Sequence, residues 1–217
     1  MQIAVLGTGV VGRTLAPRFA ELGHDVTIGT RDPAATAARQ EYADWQAAHP
    51  EVGLATFAGA AELAALVVNA TNGDATLDVL AQAGELGGKI VLDISNGLDF
   101  SGGFPPRITF PQDDSMAEQV QRAHPAALVV KSLNTMTADV MAHPDQLPDP
   151  GTVFMSGDDP AAKEVVAALL TELGHTDVVD LGDVTTARGT EWMMPAWLRV
   201  MGAVGSPYFN WKVVRGG

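Results

Sequence analysis

The chain has 217 residues, a formal net charge of −13, 47% hydrophobic and 18% charged residues, and no cysteine. That length buries one substantial core, or one large domain with a small appendage, and the apolar content excludes a disordered chain. The negative balance argues against nucleic acid and anionic membrane as partners, because their phosphates would be repelled, and the lack of thiols excludes disulfides, thiolate metal sites and a cysteine nucleophile.

An apolar run at residues 2–6 precedes Gly7-Thr8-Gly9-Val10-Val11-Gly12, and apolar positions then recur at helical spacing to Leu22 and Gly23. A second strand over residues 25–29 ends in Thr30 and Arg31, completing a strand, turn, helix and strand of the size that binds a dinucleotide. Gly7 permits the tight turn, Gly9 lets a pyrophosphate approach the backbone, and Gly12 lets the helix pack closely on the strand. The amides of Thr8, Val10 and Val11 and the positive end of the helix face the phosphates. Where NAD-selective units place an acid for the ribose, this chain has Thr30 and Arg31, a hydroxyl and a guanidinium suited to a 2′-phosphate. The expected cofactor is therefore NADP(H). Asp32 and Pro33 open the next helix.

That helix is expected to run to Ala48, with Arg39 as an exposed helical residue that could turn toward the phosphate. A strand at residues 54–57, a short helix at 60–65 and a buried strand at 66–70 follow. The last of these delivers Asn69, Ala70 and Thr71 to the edge where doubly wound sheets bind ligands, beside the ribose or nicotinamide. Asp74 either borders the cofactor or caps the helix that runs to Glu85.

A strand at 89–94 opens into the loop 95–106, which holds Asn96, two phenylalanines, glycines and paired prolines. Such length in a compact domain reads as a lid or binding loop, the alternative being a disordered excursion. Ser115 and Glu118 form a capping box for a helix ending at His124, and a sixth strand at 127–133 brings Asn134 to the same edge as a nicotinamide neighbour.

The composition shifts near residue 136. A dinucleotide-binding domain over residues 1–136 is expected, followed by a small C-terminal unit over 137–217 for acceptor binding and oligomerisation, with strands at 152–156 and 177–181 and a long helix from Val184. The fold class is α/β, a Rossmann-like doubly wound and mostly parallel sheet with a small C-terminal α/β extension.

Lys131-x-x-Asn134 imitates the pair of hydroxyacid dehydrogenases, but on a strand the two side chains point to opposite faces, so a proton-transfer pair is discounted. Tyr208 and Lys212 have the spacing of short-chain dehydrogenases by chance. The five histidines are scattered, without metal-ligand spacing. The stretch 191–201, with two tryptophans, three methionines and a helix-kinking Pro195, reads as a homodimer interface ahead of the wall of a flat pocket, with ordinary core as the plain alternative. With a strand beginning at residue 2 and no apolar run of membrane-spanning length, a cytoplasmic protein without a signal peptide is expected.

Taken with GTGVVG at 7–12, the Gly29-Thr30-Arg31 strand end, VVKSLNT at 129–135, Ser156-Gly157-Asp158-Asp159 and DLGDVTTARGTE at 180–191, the chain resembles the NADP oxidoreductases typified by the NADPH-dependent reductases of the deazaflavin coenzyme F420. It is also similar to the cytosolic nucleotide domain of the ferric-reducing six-transmembrane epithelial proteins. The resemblance implies hydride transfer between NADP(H) across the sheet edge and a small-molecule redox acceptor, coenzyme F420 or a flavin, stacked near the C-terminal unit. Asn134 matches the ferric-reducing domain, whereas deazaflavin reductases carry His there. An alternative reading of the residues is a dehydrogenase of a small hydroxy or carbonyl compound, or an NADP-sensing module without catalysis.

Overall fold

The computed structural model describes residues 1–216; Gly217, the end of the expected C-terminal unit, lies outside them. The first half holds β1 (Gln2–Leu6), α1 (Val10–Glu21), β2 (Asp25–Thr30), α2 (Pro33–Ala37), α3 (Gln40–Ala48), β3 (Gly53–Thr56), α4 (Phe57–Glu62), β4 (Leu66–Asn69), α5 (Gly73–Gln82) and β5 (Ile90–Asp93). Then come β6 (Leu98–Asp99), β7 (Arg107–Ile108), α6 (Met116–Ala123), β8 (Leu128–Ser132), α7 (Ala138–Ala142), β9 (Val153–Gly157), α8 (Pro160–Leu173), β10 (Val178–Asp180), α9 (Ala187–Glu191) and α10 (Met194–Val204).

Eight strands form one sheet in the order β10-β9-β8-β5-β4-β1-β2-β3, parallel except where β9 meets β8. The period-two alternation of the strands feeds two cores. Ile3, Val5, Leu66, Val68, Leu92 and Val130 pack under α1, α7 and α8, while Ala4, Leu6, Val67, Val91 and Val129 pack under α4, α5 and α6. The chain reverses its direction of strand addition between β1 and β4, and there the carboxyl ends of the strands leave a crevice.

The C-terminal half divides between the shared sheet and a small cluster of its own around Met194, Trp197 and Leu198. β9 and β10 extend the same sheet past the boundary expected near residue 136, and Met155, Leu169 and Leu170 join the first core cluster with Ile3 and Val5. The reason is geometric: β8 would be an open edge, and β9 covers it with antiparallel hydrogen bonds.

Several local expectations are corrected. The helix after Pro33 is two helices, because Arg39 is extended (φ −76°, ψ 121°) and re-aims α3 so that Tyr42 and Trp45 dock on α1. Docking outweighs the helix propensity of the alanines there. Pro17 lies inside α1, where its missing N–H frees the Arg13 carbonyl, and the Trp45 indole donates to that carbonyl at 3.1 Å. Phe57 begins α4 rather than ending β3, since the Thr56 hydroxyl caps the helix from Gly59 N–H. The cap position of α5 is Asn72, not Asp74, which sits in the first turn, and the helix ends at Gln82.

The long helix expected from Val184 is broken into a 3₁₀ turn (Val184–Thr186), α9 and α10. Pro195 does not kink a helix but lies in the first turn of α10, where its lost N–H has no intrahelical partner to give up. The loop 95–106 carries the ordered β6–β7 hairpin. Asp32 caps α2 by accepting from Ala35 N–H, and the Ser115 hydroxyl oxygen caps α6 by accepting from Glu118 N–H at 3.2 Å while donating to the Glu118 carboxylate at 2.7 Å.

Candidate functional site

Gly7 has φ +124°, and a Cβ there would lie 2.6 Å from the Ala70 carbonyl oxygen, so β1 and β4 close on the turn. A Cβ on Gly12 would fall 2.1 Å from the Gly7 oxygen, which fixes α1 against that turn. A Cβ on Gly9 would meet nothing within 4 Å. The middle glycine therefore faces open space, and it offers no side-chain cap to α1, whose first turn also lacks an acid. Uncapped amides beside open space, at the positive end of a helix, are a phosphate cradle. The residues fit the pyrophosphate of a dinucleotide.

Two cavities flank this cradle and share Val10. One, of about 290 Å³, is lined by Thr8, Gly9, Arg13, Arg39, Glu41 and Tyr42. Arg39 donates from Nη2 to the Thr8 hydroxyl at 3.1 Å, and Arg13 pairs with Glu41. The Tyr42 hydroxyl and Arg13 Nε are buried without a hydrogen-bond partner, two polar atoms awaiting an acceptor. Burial pushes the Tyr42 phenol up, with Arg13 and Arg39 opposing, so it remains a donor at neutral pH.

Arg31, the guanidinium expected to read the 2′-phosphate, is exposed at the end of β2 and lines neither cavity. Thr30 is buried, its hydroxyl 2.9 Å from that of Thr36, where it anchors α2 rather than standing open. Arg39, exposed as expected, is the cation over the turn, through its bond to Thr8. Only the break between α2 and α3 puts it there.

The second cavity, of about 640 Å³, opens at the carboxyl ends of β1, β4, β5 and β8 and is lined by Val10, Val11, Ala70, Thr71, Asn96 and Asn134, with Met136, Met194 and Trp197 opposite and Asp74 and Asp99 among its other lining residues. Leu133, at φ +61°, is among the described residues the one non-glycine with positive φ. This turn past the end of β8 carries Asn134 back to the edge, where its Nδ2 donates to Asn96 Oδ1 at 3.1 Å and its carbonyl accepts from Asn96 Nδ2 at 2.9 Å. The β6–β7 hairpin covers one side through Leu98 and Phe100, the latter 58% exposed at the rim.

Asn69 departs from expectation. It is fully buried and lies beneath the cavity, donating to Asp93 Oδ1 at 2.7 Å and accepting from the Thr71 hydroxyl at 2.6 Å. It supports the lining instead of joining it. Lys131 is likewise buried, between Asp93 at 2.8 Å and Glu191 at 2.9 Å. Burial opposes its charge, but the two carboxylates outweigh burial and hold its pKa above the ordinary lysine value. Burial pushes Glu191 up, against the pull of Lys131. Neither acid partner stands out in the sequence, where Asp93 only ends an apolar run and Glu191 lies 60 positions beyond the lysine.

Tyr208 and Lys212 are held apart from each other and from the cavity lining, the phenol donating to Asp139 at 2.8 Å and the ammonium to Asp149 at 3.1 Å. Met194, Trp197 and Leu198 are buried within the single chain, against Leu98, Phe209 and Trp211, with the Trp197 and Phe209 rings stacked at 5.3 Å. The C-terminal segment folds back and covers this part of the stripe, while Trp192, Met193 and Met201 remain half-buried in the single chain.

A doubly wound sheet, a glycine cradle at the switch point and a cavity on either side define a dinucleotide-binding protein. The family model described as NADP oxidoreductase, coenzyme F420-dependent, matches residues 2–97. The F420-dependent NADP reductase of Methanocaldococcus jannaschii is 30% identical over 203 residues, covering 90% of each chain. A crystal structure provisionally named an F420-dependent NADP-reductase, from Arthrobacter sp. FB24, superposes with a TM-score of 0.97 at 54% identity, covering 99% of this chain and 100% of that one. The rat metalloreductase STEAP3 is 28% identical over 203 residues, but this chain spans only 38% of its length. The chain belongs to the coenzyme F420-dependent NADP oxidoreductase family, and its cofactor is NADP(H). Among the described residues no helix is long and apolar enough to cross a membrane.

Proposed function

We propose that this protein transfers hydride between NADP(H) and a planar redox acceptor, coenzyme F420 or a flavin-like ring, bound in the larger cavity. The carrying observation is the pair of cavities joined across the first turn of α1. The smaller one offers the guanidiniums of Arg13 and Arg39 and the Thr8 hydroxyl to a 2′-phosphate, and the larger one is wide and walled by Trp197, thioethers, amides and hydroxyls. Bound NADPH supplies the hydride from its nicotinamide. The chain's part is to seat the phosphates on Gly9 and the α1 amides, to hold one face of the ring edge with Thr71, Asn96 and Asn134, and to exclude water with the β6–β7 hairpin and Trp197.

Reduction of a small carbonyl compound is disfavoured because its supposed acid, Lys131, is locked by Asp93 and Glu191. We assign to the same reading a homodimer through the outer face of α10, where Pro195, Ala196, Arg199 and Val204 are exposed. Stopped-flow oxidation of NADPH against coenzyme F420, FMN, ferric chelates and small carbonyls tests the acceptor. Fastest transfer to F420 or FMN is expected. Preference for a carbonyl would overturn the reading, and binding without turnover by any acceptor would return the protein to a sensing role.

A further inference from the structure

Beneath the larger cavity runs a continuous chain of buried polar contacts that the proposed hydride transfer does not itself use. Lys131 at the end of β8 is 1% exposed and its ammonium donates to Asp93 of β5, to Glu191 at the end of α9 and to the Ser95 carbonyl. Asp93 in turn accepts from Asn69 at 2.7 Å and from the Ser95 hydroxyl at 2.7 Å, and Asn69 holds Thr71. Thr71 and Ser95 line the cavity on its cofactor side. On the opposite side Glu191 accepts from the backbone amides of Met116 and Ala117 at 2.8 and 3.1 Å, which seats it at the N-terminus of α6. Three residues after Glu191 the chain enters α10, and Met194 and Trp197 form the facing wall.

Every donor of the Lys131 ammonium is thus spent, which leaves it no proton to trade with a substrate. Its position explains what it does. One side of the ammonium holds the floor of the cofactor-side loops and the other holds the root of the acceptor-side helix, across a sheet whose own hydrogen bonds do not reach α10.

We propose that Lys131 is a positioning residue that sets the separation of the two cavity walls, through Asp93 and Ser95 on one side and Glu191 on the other, and so the approach of hydride donor and acceptor. This rests on the hydride-transfer reading for its kinetic consequence but not for its structural one. Misplacing reacting groups by about 1 Å can cost on the order of a hundredfold in rate while leaving the binding of each ligand intact. A lysine serving only the fold would instead move stability and both affinities together.

The test uses the full chain carrying Trp45→Phe, so that the tryptophans left, Trp192, Trp197 and Trp211, all lie in the C-terminal segment. Energy transfer from them to bound NADPH then reports the wall-to-cofactor separation without any acceptor. Lys131→Met and the milder Glu191→Gln are each titrated with NADPH and followed in single turnovers with coenzyme F420 and FMN, using protio and 4-deuterio NADPH. Expected for Lys131→Met are an NADPH Kd within about twofold of the parent, altered energy transfer, hydride transfer slower by roughly ten- to a hundredfold, and an isotope effect that becomes temperature-dependent; Glu191→Gln should show the same pattern more weakly. If Lys131→Met does not fold, Glu191→Gln alone decides. Unchanged energy transfer with a parental rate and isotope effect overturns the proposal, as does a Kd that weakens in step with the rate. A parent that reduces neither acceptor overturns the acceptor reading, and the energy-transfer comparison then decides the role of Lys131 by itself.

Discussion

The glycine-turn side and the Trp197 side of the crevice are built on different principles. Around the glycine turn each feature follows from a residue's own backbone chemistry: Gly7 at φ +124°, Gly12 against the Gly7 carbonyl, Gly9 open to the ligand. The opposite wall has no local logic of that kind. Trp197 and Met194 stand where they do because Glu191 grips α6, Lys131 grips Glu191, and a C-terminal segment without regular structure returns to stack Phe209 on Trp197. That segment is tied back at several points, among them Thr152 N–H to the Trp211 carbonyl at 2.7 Å and Asn210 Nδ2 to the Pro150 carbonyl at 2.8 Å. A wall assembled from distant contacts can vary in shape while the turn stays fixed.

The largest break in this contrast is expected from Trp197→Ala. Removing a buried indole should cost about 3–5 kcal/mol of stability in urea unfolding, raise the acceptor KM and leave NADPH affinity nearly unchanged. A loss under about 1 kcal/mol would mean that the wall does not depend on the stack. Next in size is Arg39→Ala, which should weaken NADPH by roughly ten- to a hundredfold, about 1.5–3 kcal/mol, with NADH little affected. Arg31→Ala in parallel sharpens the point, since a larger NADPH loss there would return phosphate recognition to the exposed strand end.

Within the cradle, Gly12→Ala should destabilise by about 1–3 kcal/mol because α1 must move off the turn. Gly9→Ala should keep the parental Tm and lose cofactor affinity. Equal Tm losses for the two would contradict the assignment of the open side to the ligand.

The smallest effect concerns His175, which is 2% exposed, with its Nε2 3.1 Å from the Met141 carbonyl. Burial pushes its pKa below the ordinary 6.5, only partly offset by that carbonyl. The unfolded chain therefore takes up the proton first, so this contribution to stability is complete above pH 6.5 and is lost as pH falls from there toward the folded value. Urea midpoints measured across that range should fall for the parent and fall less for His175→Gln.

How much of this was legible beforehand differs between the same two regions. The βαβ unit, the glycine turn, the capping residues Asp32 and Ser115, and the positions Ala70, Thr71, Asn96 and Asn134 that line the larger cavity could be read from periodicity and turn chemistry, because those signals act over a few residues. The NADP preference was read correctly from the missing acid after β2, yet the guanidinium over the turn is Arg39, since a helix break caused by the docking of Tyr42 and Trp45 leaves no mark in an alanine-rich run.

The α/β class, the succession of the first strands and the glycine turn are already present in the sequence, because they arise from local backbone preference and the two-residue alternation of buried strands. Only the tertiary structure decided that β9 and β10 join the one sheet, that Asn69 and Lys131 lie under the cavity and not in it, and that Trp197 is hidden by its own chain. Asn69 and Lys131 depend on partners 24 to 60 residues away, Trp197 on Leu98 as well as on Phe209 and Trp211, and β9 on an edge that some strand must cover; burial of a charge or an indole is settled by what surrounds it, which spacing along a chain does not encode.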